Sequence, residues 1–145
     1  MAKLGYIGLG VMGGNMVERL LDKGHTVTGY NRTKSKAQPL IDKGMKWADT
    51  PAAVCAASDV ILSMVTNSGA LTEVAEGPNG VLSGIGAGKV WIDMSTVSPH
   101  ASRELAGRGA RRGRLFGGRL GGRRRQGRWG RRGWGRGGGD RRRRW

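Results

Sequence analysis

Apolar residues along this chain switch repeatedly between two spacings. Leu4, Tyr6 and Ile7 form a short run broken by glycine, and Met12, Met16 and Leu20, with Val17 and Leu21, then recur at helical intervals up to Gly24. This predicts a strand and then a helix over residues 11–23, with Gly24 in the C′ position that ends it. A second strand covers residues 26–30. A helical stretch over 35–43 accepts Pro39 only in its first turn or as a kink, and Gly44 closes it. Residues 45–47 read as a short third strand. Thr50 and Pro51 form an N-cap and N1 pair that opens a helix running to Ala57, and 60–64 is a buried fourth strand. A helix over 71–76, a Gly-Pro-Asn-Gly turn, a fifth strand over 90–93 and a helix opened by Ser98 and Pro99 complete the pattern. Strands alternating with helices in this way predict an α/β protein with a parallel sheet and crossover helices.

The first strand-to-helix junction also carries chemistry. Gly8, Gly10 and Gly13 stand in G-x-G-x-x-G spacing, directly after the strand and directly before the helix. Gly8 allows the tight turn, Gly10 offers no Cβ to keep a pyrophosphate from the backbone, and Gly13 lets the helix lie close to the sheet. The helix then directs its free N–H groups and positive dipole end at the phosphates. This makes the expected fold a Rossmann-type doubly wound sheet and the expected ligand a dinucleotide. Where an NAD site usually carries an acidic residue, at the end of the second strand, the chain has Asn31, Arg32 and Thr33. Asn31 does not repel a phosphate, and Arg32, Thr33 and Lys36 can each bind one, so NADP is expected in preference to NAD. Ligands of such sheets lie beyond the carboxyl ends of the strands. Residues 65–67, and Ser95 with Thr96, occupy two further ends of that kind.

Charge divides the chain in two. The formal net charge of +16 suggests a polynucleotide binder, but residues 1–106 hold ten Lys/Arg against nine Asp/Glu, while residues 107–145 hold sixteen Arg against one Asp. The first part is nearly neutral. A single cysteine, Cys55, excludes an intramolecular disulfide and suits a reducing compartment; in its Ala-rich helix it reads as a small buried residue rather than a nucleophile. Met1-Ala2-Lys3 leads straight into a glycine-broken strand without a signal sequence, and no apolar run reaches membrane-spanning length. A cytoplasmic protein without a membrane partner is expected.

Taken together, Gly8-Leu9-Gly10-Val11-Met12-Gly13, Lys23-Gly24-His25-Thr26-Val27, Asn31-Arg32-Thr33, Ser63-Met64-Val65 and Asp93-Met94-Ser95-Thr96-Val97-Ser98-Pro99 resemble the N-terminal domain of the β-hydroxyacid dehydrogenases. That family includes 3-hydroxyisobutyrate and 6-phosphogluconate dehydrogenases and the NADPH-dependent glyoxylate and succinic semialdehyde reductases. The resemblance covers residues 1 to about 106. It implies a cofactor cradle from Gly8, Leu9, Gly10, Val11 and Met12, adenosine-phosphate contacts from Asn31, Arg32 and Thr33, and nicotinamide-side contacts from Met64, Val65 and Thr96. His25 has no catalytic counterpart in the family and reads as structural. The family's D-A-P-V-S-G type substrate loop and its G-x-x-x-K-x-x-N type catalytic segment do not occur, and after Lys89 the chain has no lysine. Proton transfer needs a titratable group within reach of the substrate oxygen, and arginine stays protonated. No catalytic residue is therefore assigned, and a truncated, catalytically incompetent cofactor-binding domain is expected. In its complete form it would move hydride between NADP(H) and a small hydroxy acid or aldehyde.

The remaining stretch, residues 107–145, is mostly Gly and Arg with three Trp. Its few apolar residues cannot offset the ordering entropy of so many glycines under self-repulsion, so a disordered tail is expected. Interleaved Arg, Gly and Trp resemble RGG-type segments, which gives the alternative of a nucleic-acid-binding protein acting through the tail. Gly, Arg and Trp also share codons with G in the second position. A GC-rich gene read out of frame would yield this mixture, and that origin is favoured over an evolved RNA-binding tail. A doubly wound sheet cut after its fifth strand would leave a bare edge, so association between copies is expected.

Overall fold

The computed structural model describes residues 2–109 and 114–117. Six strands form one parallel sheet: β1 (Leu4–Ile7), β2 (Val27–Tyr30), β3 (Lys46–Trp47), β4 (Val60–Ser63), β5 (Val90–Asp93) and β6 (Arg114–Gly117), in the order β3-β2-β1-β4-β5-β6. The order reverses at β1, which pairs with β2 on one side and β4 on the other. That reversal is the switch point at which open α/β sheets place ligands. Six helices connect the strands: α1 (Val11–Asp22), α2 (Gln38–Asp42), α3 (Pro51–Ala57), α4 (Ser68–Glu76), α5 (Val81–Gly84) and α6 (Pro99–Gly109).

Side-chain alternation along β1 divides the core. Tyr6 and Ile7 are both fully buried, on opposite faces. Tyr6 joins Leu9, Val17, Val27, Leu40 and Met45 beneath α1 and α2. Ile7 joins Val54, Ile61, Leu71, Val81, Trp91 and Leu105 beneath α3 to α6. Helices thus cover both faces, as the doubly wound reading requires. Burying each of these large side chains stabilises the fold by roughly 1.5–3 kcal/mol.

Local chemistry fixes most boundaries. Gly24 and Gly44 take positive φ at the ends of α1 and α2. The Thr50 hydroxyl accepts a hydrogen bond from the Ala53 N–H at 3.1 Å, and Asn67 does the same for Ala70 at 2.9 Å, so both α3 and α4 carry side-chain caps. The helical stretch expected over 35–43 is two pieces: a 3-10 turn at Lys34–Ala37 and then α2, where Pro39 falls in the first turn and leaves no hydrogen bond broken. Helix α5, after the Gly-Pro-Asn-Gly turn, is four residues long and has no periodicity by which the sequence could announce it.

Two expectations about the end of the sheet need correction. Helix α6 runs past residue 106 to Gly109, and β6 pairs in parallel with β5 from Val90↔Arg114 to Asp93↔Gly117. The boundary expected after residue 106 thus falls within α6, and β5 is an inner strand rather than a bare edge. The apolar pair Leu115-Phe116 lies within β6, a short strand signal masked by the surrounding Gly and Arg. The rest of the expected tail, residues 110–113 and 118–145, lies outside the described residues. No helix among the described residues is long and apolar enough to cross a membrane.

Candidate functional site

Every residue expected to contact the dinucleotide follows the carboxyl end of a strand on one edge of the sheet, or lies in the first turns of the helix after it. The turn between β1 and α1 is tightly determined. Gly8 has φ +93°, and a Cβ there would overlap the Met64 carbonyl oxygen; a Cβ on Gly13 would overlap the Gly8 carbonyl oxygen and stand 3.1 Å from the Tyr6 ring. Gly10 differs from both. A Cβ on it would meet nothing within 4 Å, so the space above this residue is open. Gly10 is also the N-cap of α1, and no side chain caps the helix. The first N–H groups of α1, those of Val11, Met12 and Gly13, have no acceptor within the helix and lie at its open start. Val11 and Met12 are the exposed large apolar residues here, at 84% and 60% exposure. An open cradle, donor groups and an apolar rim match a dinucleotide phosphate with its flanking sugars.

Beyond β2, two of the residues expected to contact the ligand are bonded to each other. The Leu9 N–H donates to Asn31 Oδ1 at 3.1 Å, and Asn31 Nδ2 donates to the Thr33 carbonyl at 3.0 Å. The Leu9 side chain is in the core. The Leu9 N–H is thus taken by Asn31, which ties the glycine turn to the following loop. Arg32, Thr33 and Lys36 are exposed, and Arg32 belongs to none of the ion pairs found among the described residues. Lys34 is differently placed, with Nζ 5.4 Å from the centre of the Trp47 ring.

At the carboxyl ends of β4 and β5, Ser95 joins two polar residues, Ser63 and Asp93, to which the sequence analysis gave no role of their own. Ser63 and Asp93 are register partners and both are buried. Ser63 Oγ donates to Asp93 Oδ1 at 2.7 Å and accepts from Trp91 Nε1 at 2.9 Å. Ser95 Oγ also donates to Asp93 Oδ1 at 2.7 Å, and the Ser95 N–H reaches the same oxygen at 3.3 Å. Ser95 Oγ in turn accepts from the Val65 N–H at 2.9 Å. The strand registers that place these residues side by side were not legible; the available signal was an aspartate ending an otherwise apolar strand. Met64 and Val65 are half-buried, and the Met64 N–H is bonded to the Ile7 carbonyl at 2.9 Å. Thr96 is exposed at the loop surface.

Other candidates are inert. Cys55 is fully buried in α3, and burial pushes its thiol up to about 11 against a smaller opposing effect of Lys89. That leaves it un-ionised at neutral pH and a poor nucleophile. His25 precedes β2, away from the carboxyl edge, with a buried Nδ1 that has no hydrogen-bond partner. Among the described residues, no group of His, Cys, Asp and Glu could hold a metal ion.

Comparison with known proteins places this geometry. Residues 3–118 match the family described as the NAD binding domain of 6-phosphogluconate dehydrogenase. The cytokine-like nuclear factor N-PAC of Xenopus tropicalis is 43% identical over 114 residues, which are 79% of this chain and 21% of that protein. The probable 3-hydroxyisobutyrate dehydrogenase-like 1, mitochondrial, of Arabidopsis thaliana is 45% identical over 105 residues, 72% of this chain and 31% of that protein. Among solved structures, Psf3 in complex with NADP+ and 2-OPP superimposes with a TM-score of 0.74 at 31% identity, covering 77% of this chain and 40% of the other. The chain thus spans a third or less of the length of these two curated relatives.

Proposed function

The chain belongs to the family of the 6-phosphogluconate dehydrogenase NAD-binding domain, a β-hydroxyacid dehydrogenase-type nucleotide-binding domain, and from that premise we propose that it binds NADP(H) in preference to NAD(H). The observation that carries the reading is the open, uncapped helix start at Gly10, between two glycines that admit no side chain. In this reading the pyrophosphate rests on the first N–H groups of α1, with Val11 and Met12 beside it. The 2′-phosphate is held by Arg32, Thr33 and Lys36. Met64, Val65 and Thr96 line the nicotinamide end. Leu9 and Asn31 act through each other rather than on the ligand.

The preference for NADP rests on charge. No carboxylate stands at the end of β2, and the exposed Arg32 guanidinium can bind a phosphate with two parallel hydrogen bonds. The solved relative with NADP+ bound is consistent with it. We take the binding unit to extend through β6 rather than to end at residue 106. The complete form of such a domain would transfer hydride between NADP(H) and a small hydroxy acid or aldehyde, with substrate and proton-donor residues that this chain does not supply. A reducing, cytoplasmic setting suits its single buried thiol. The polynucleotide-binding alternative has no support in the described residues.

Equilibrium titration of the full chain with NADPH and with NADH tests the proposal. A saturable NADPH signal, with NADH at least about tenfold weaker, is expected, which corresponds to roughly 1.4 kcal/mol from the extra phosphate. Saturation by neither, on a folded sample, overturns it.

A further inference from the structure

The polar group between β4 and β5 has no place in the phosphate chemistry of the site, yet it joins the two loops assigned to the nicotinamide end. We propose that Ser95 is a positioning residue for the nicotinamide half of the dinucleotide: through Asp93 and Val65 it fixes how far apart the loop after β4 and the loop after β5 stand. The inference rests on the dinucleotide reading above and adds a division of labour within it.

The connectivity carries the argument. The Ser95 hydroxyl donates to buried Asp93 at 2.7 Å while accepting from the Val65 N–H at 2.9 Å. One side chain thus holds the backbone at Val65, on the first loop, and stands next to Thr96, on the second. Asp93 is anchored from below by Ser63, which is fully buried and itself held by the Trp91 indole. A carboxylate taken out of water is retained only where several donors converge on it, and here three do so on one oxygen. Such a network has few alternative arrangements, so the loops it joins are held before any ligand arrives. The adenosine end has no link to it through these bonds.

Two ligands separate this role from general destabilisation. NADPH reaches both ends of the groove, and 2′,5′-ADP only the adenosine end. In the full chain, Ser95→Ala should weaken NADPH binding about tenfold and leave 2′,5′-ADP within about twofold, and Ser95→Thr, which keeps the hydroxyl, should retain NADPH binding within about threefold. Ser63→Ala, a change at a residue that cannot touch ligand, should show the same selective loss in smaller measure. Without ligand, amide exchange at Val65 should quicken in Ser95→Ala while that at Met64, bonded to the Ile7 carbonyl, stays put. Equal losses for both ligands, no loss for NADPH, or unchanged Val65 exchange each overturn the inference. A wild-type chain that binds neither ligand brings down the parent reading and this inference with it; a wild-type chain that binds both and matches Ser95→Ala sinks this inference alone.

Discussion

Beyond β2 the chain presents Arg32, Thr33 and Lys36 to solvent, whereas beyond β4 and β5 it turns Ser63, Asp93 and Ser95 inward onto one another. These two regions at the carboxyl edge of the sheet thus use polar residues in opposite ways. An exposed guanidinium gives the fold little and takes little from it, so its charge is available to a ligand and is screened by salt. A buried carboxylate with three donors is part of the fold, and what it offers a ligand is the placement of backbone around it. Substitutions at the first end should register in binding and spare stability. At the second end they should register in both.

The comparison presupposes the glycine turn between the ends, and the largest effects are expected there. Gly13→Ala places a methyl against the Gly8 carbonyl and the Tyr6 ring, in a helix already seated on the sheet. A loss above about 3 kcal/mol is expected, enough to abolish a cooperative melt. Gly10→Ala is the control: with φ −70° and open space above it, stability should stay within about 0.5 kcal/mol of wild type while NADPH binding falls. If Gly13→Ala melted like the wild type, the close helix-to-sheet approach would be wrong, and with it the geometry of both ends.

Next in size is the direct contrast. Ser63→Ala strips a donor from buried Asp93 and an acceptor from the Trp91 indole, and should cost about 1–3 kcal/mol in urea unfolding. Arg32→Ala should cost less than about 0.5 kcal/mol by the same measure. In binding the order reverses for the extra phosphate: Arg32→Ala should narrow the preference for NADPH over NADH by about tenfold or more, and raised ionic strength should narrow the wild-type preference in the same direction. Equal stability losses in the two variants, or a salt-independent preference, would erase the distinction.

How much of this was legible in the sequence follows the same division. The alternation of spacings gave the first five strands, and the glycine spacing located the turn, because one-dimensional periodicity is a direct image of which face is buried. Arg32 and Lys36 were legible as well, since exposed charge at the end of a predicted strand needs no partner to be interpreted. The hidden features depended on register. Nothing in the chain order sets Ser63 opposite Asp93, thirty positions apart, until β4 and β5 pair. Nor does it show that the Leu9 N–H is already taken by Asn31. Strand β6 was obscured for another reason: a compositional bias toward Gly and Arg outweighed a two-residue apolar signal.

The smallest effect expected at neutral pH concerns two groups in the apolar layers on either side of the sheet. Burial pushes the Tyr6 hydroxyl up to about 12 and the Cys55 thiol up to about 11. The Tyr6 hydroxyl donates to the Met16 sulfur at 3.2 Å and lies 4.0 Å from the Met64 sulfur, beneath the glycine turn. In both groups the fold favours the neutral form, so the native state keeps protons that the unfolded chain gives up. Their contribution to stability is whole below the unfolded-state values, about 8.5 for the thiol and about 10 for the phenol, and is lost as pH climbs toward the raised values. The urea midpoint should therefore be flat near neutrality, fall from about pH 9, and fall further above pH 10. Cys55→Ala should remove the first part of that fall and leave the second. Arg32→Ala should leave the alkaline slope unchanged, because its side chain is exposed and apart from both buried layers. A slope that Cys55→Ala did not alter would mean that the thiol is not confined in the layer beneath α3 to α6, and the contrast between an inert interior and the solvent-facing Arg32, Thr33 and Lys36 would lose its inner half.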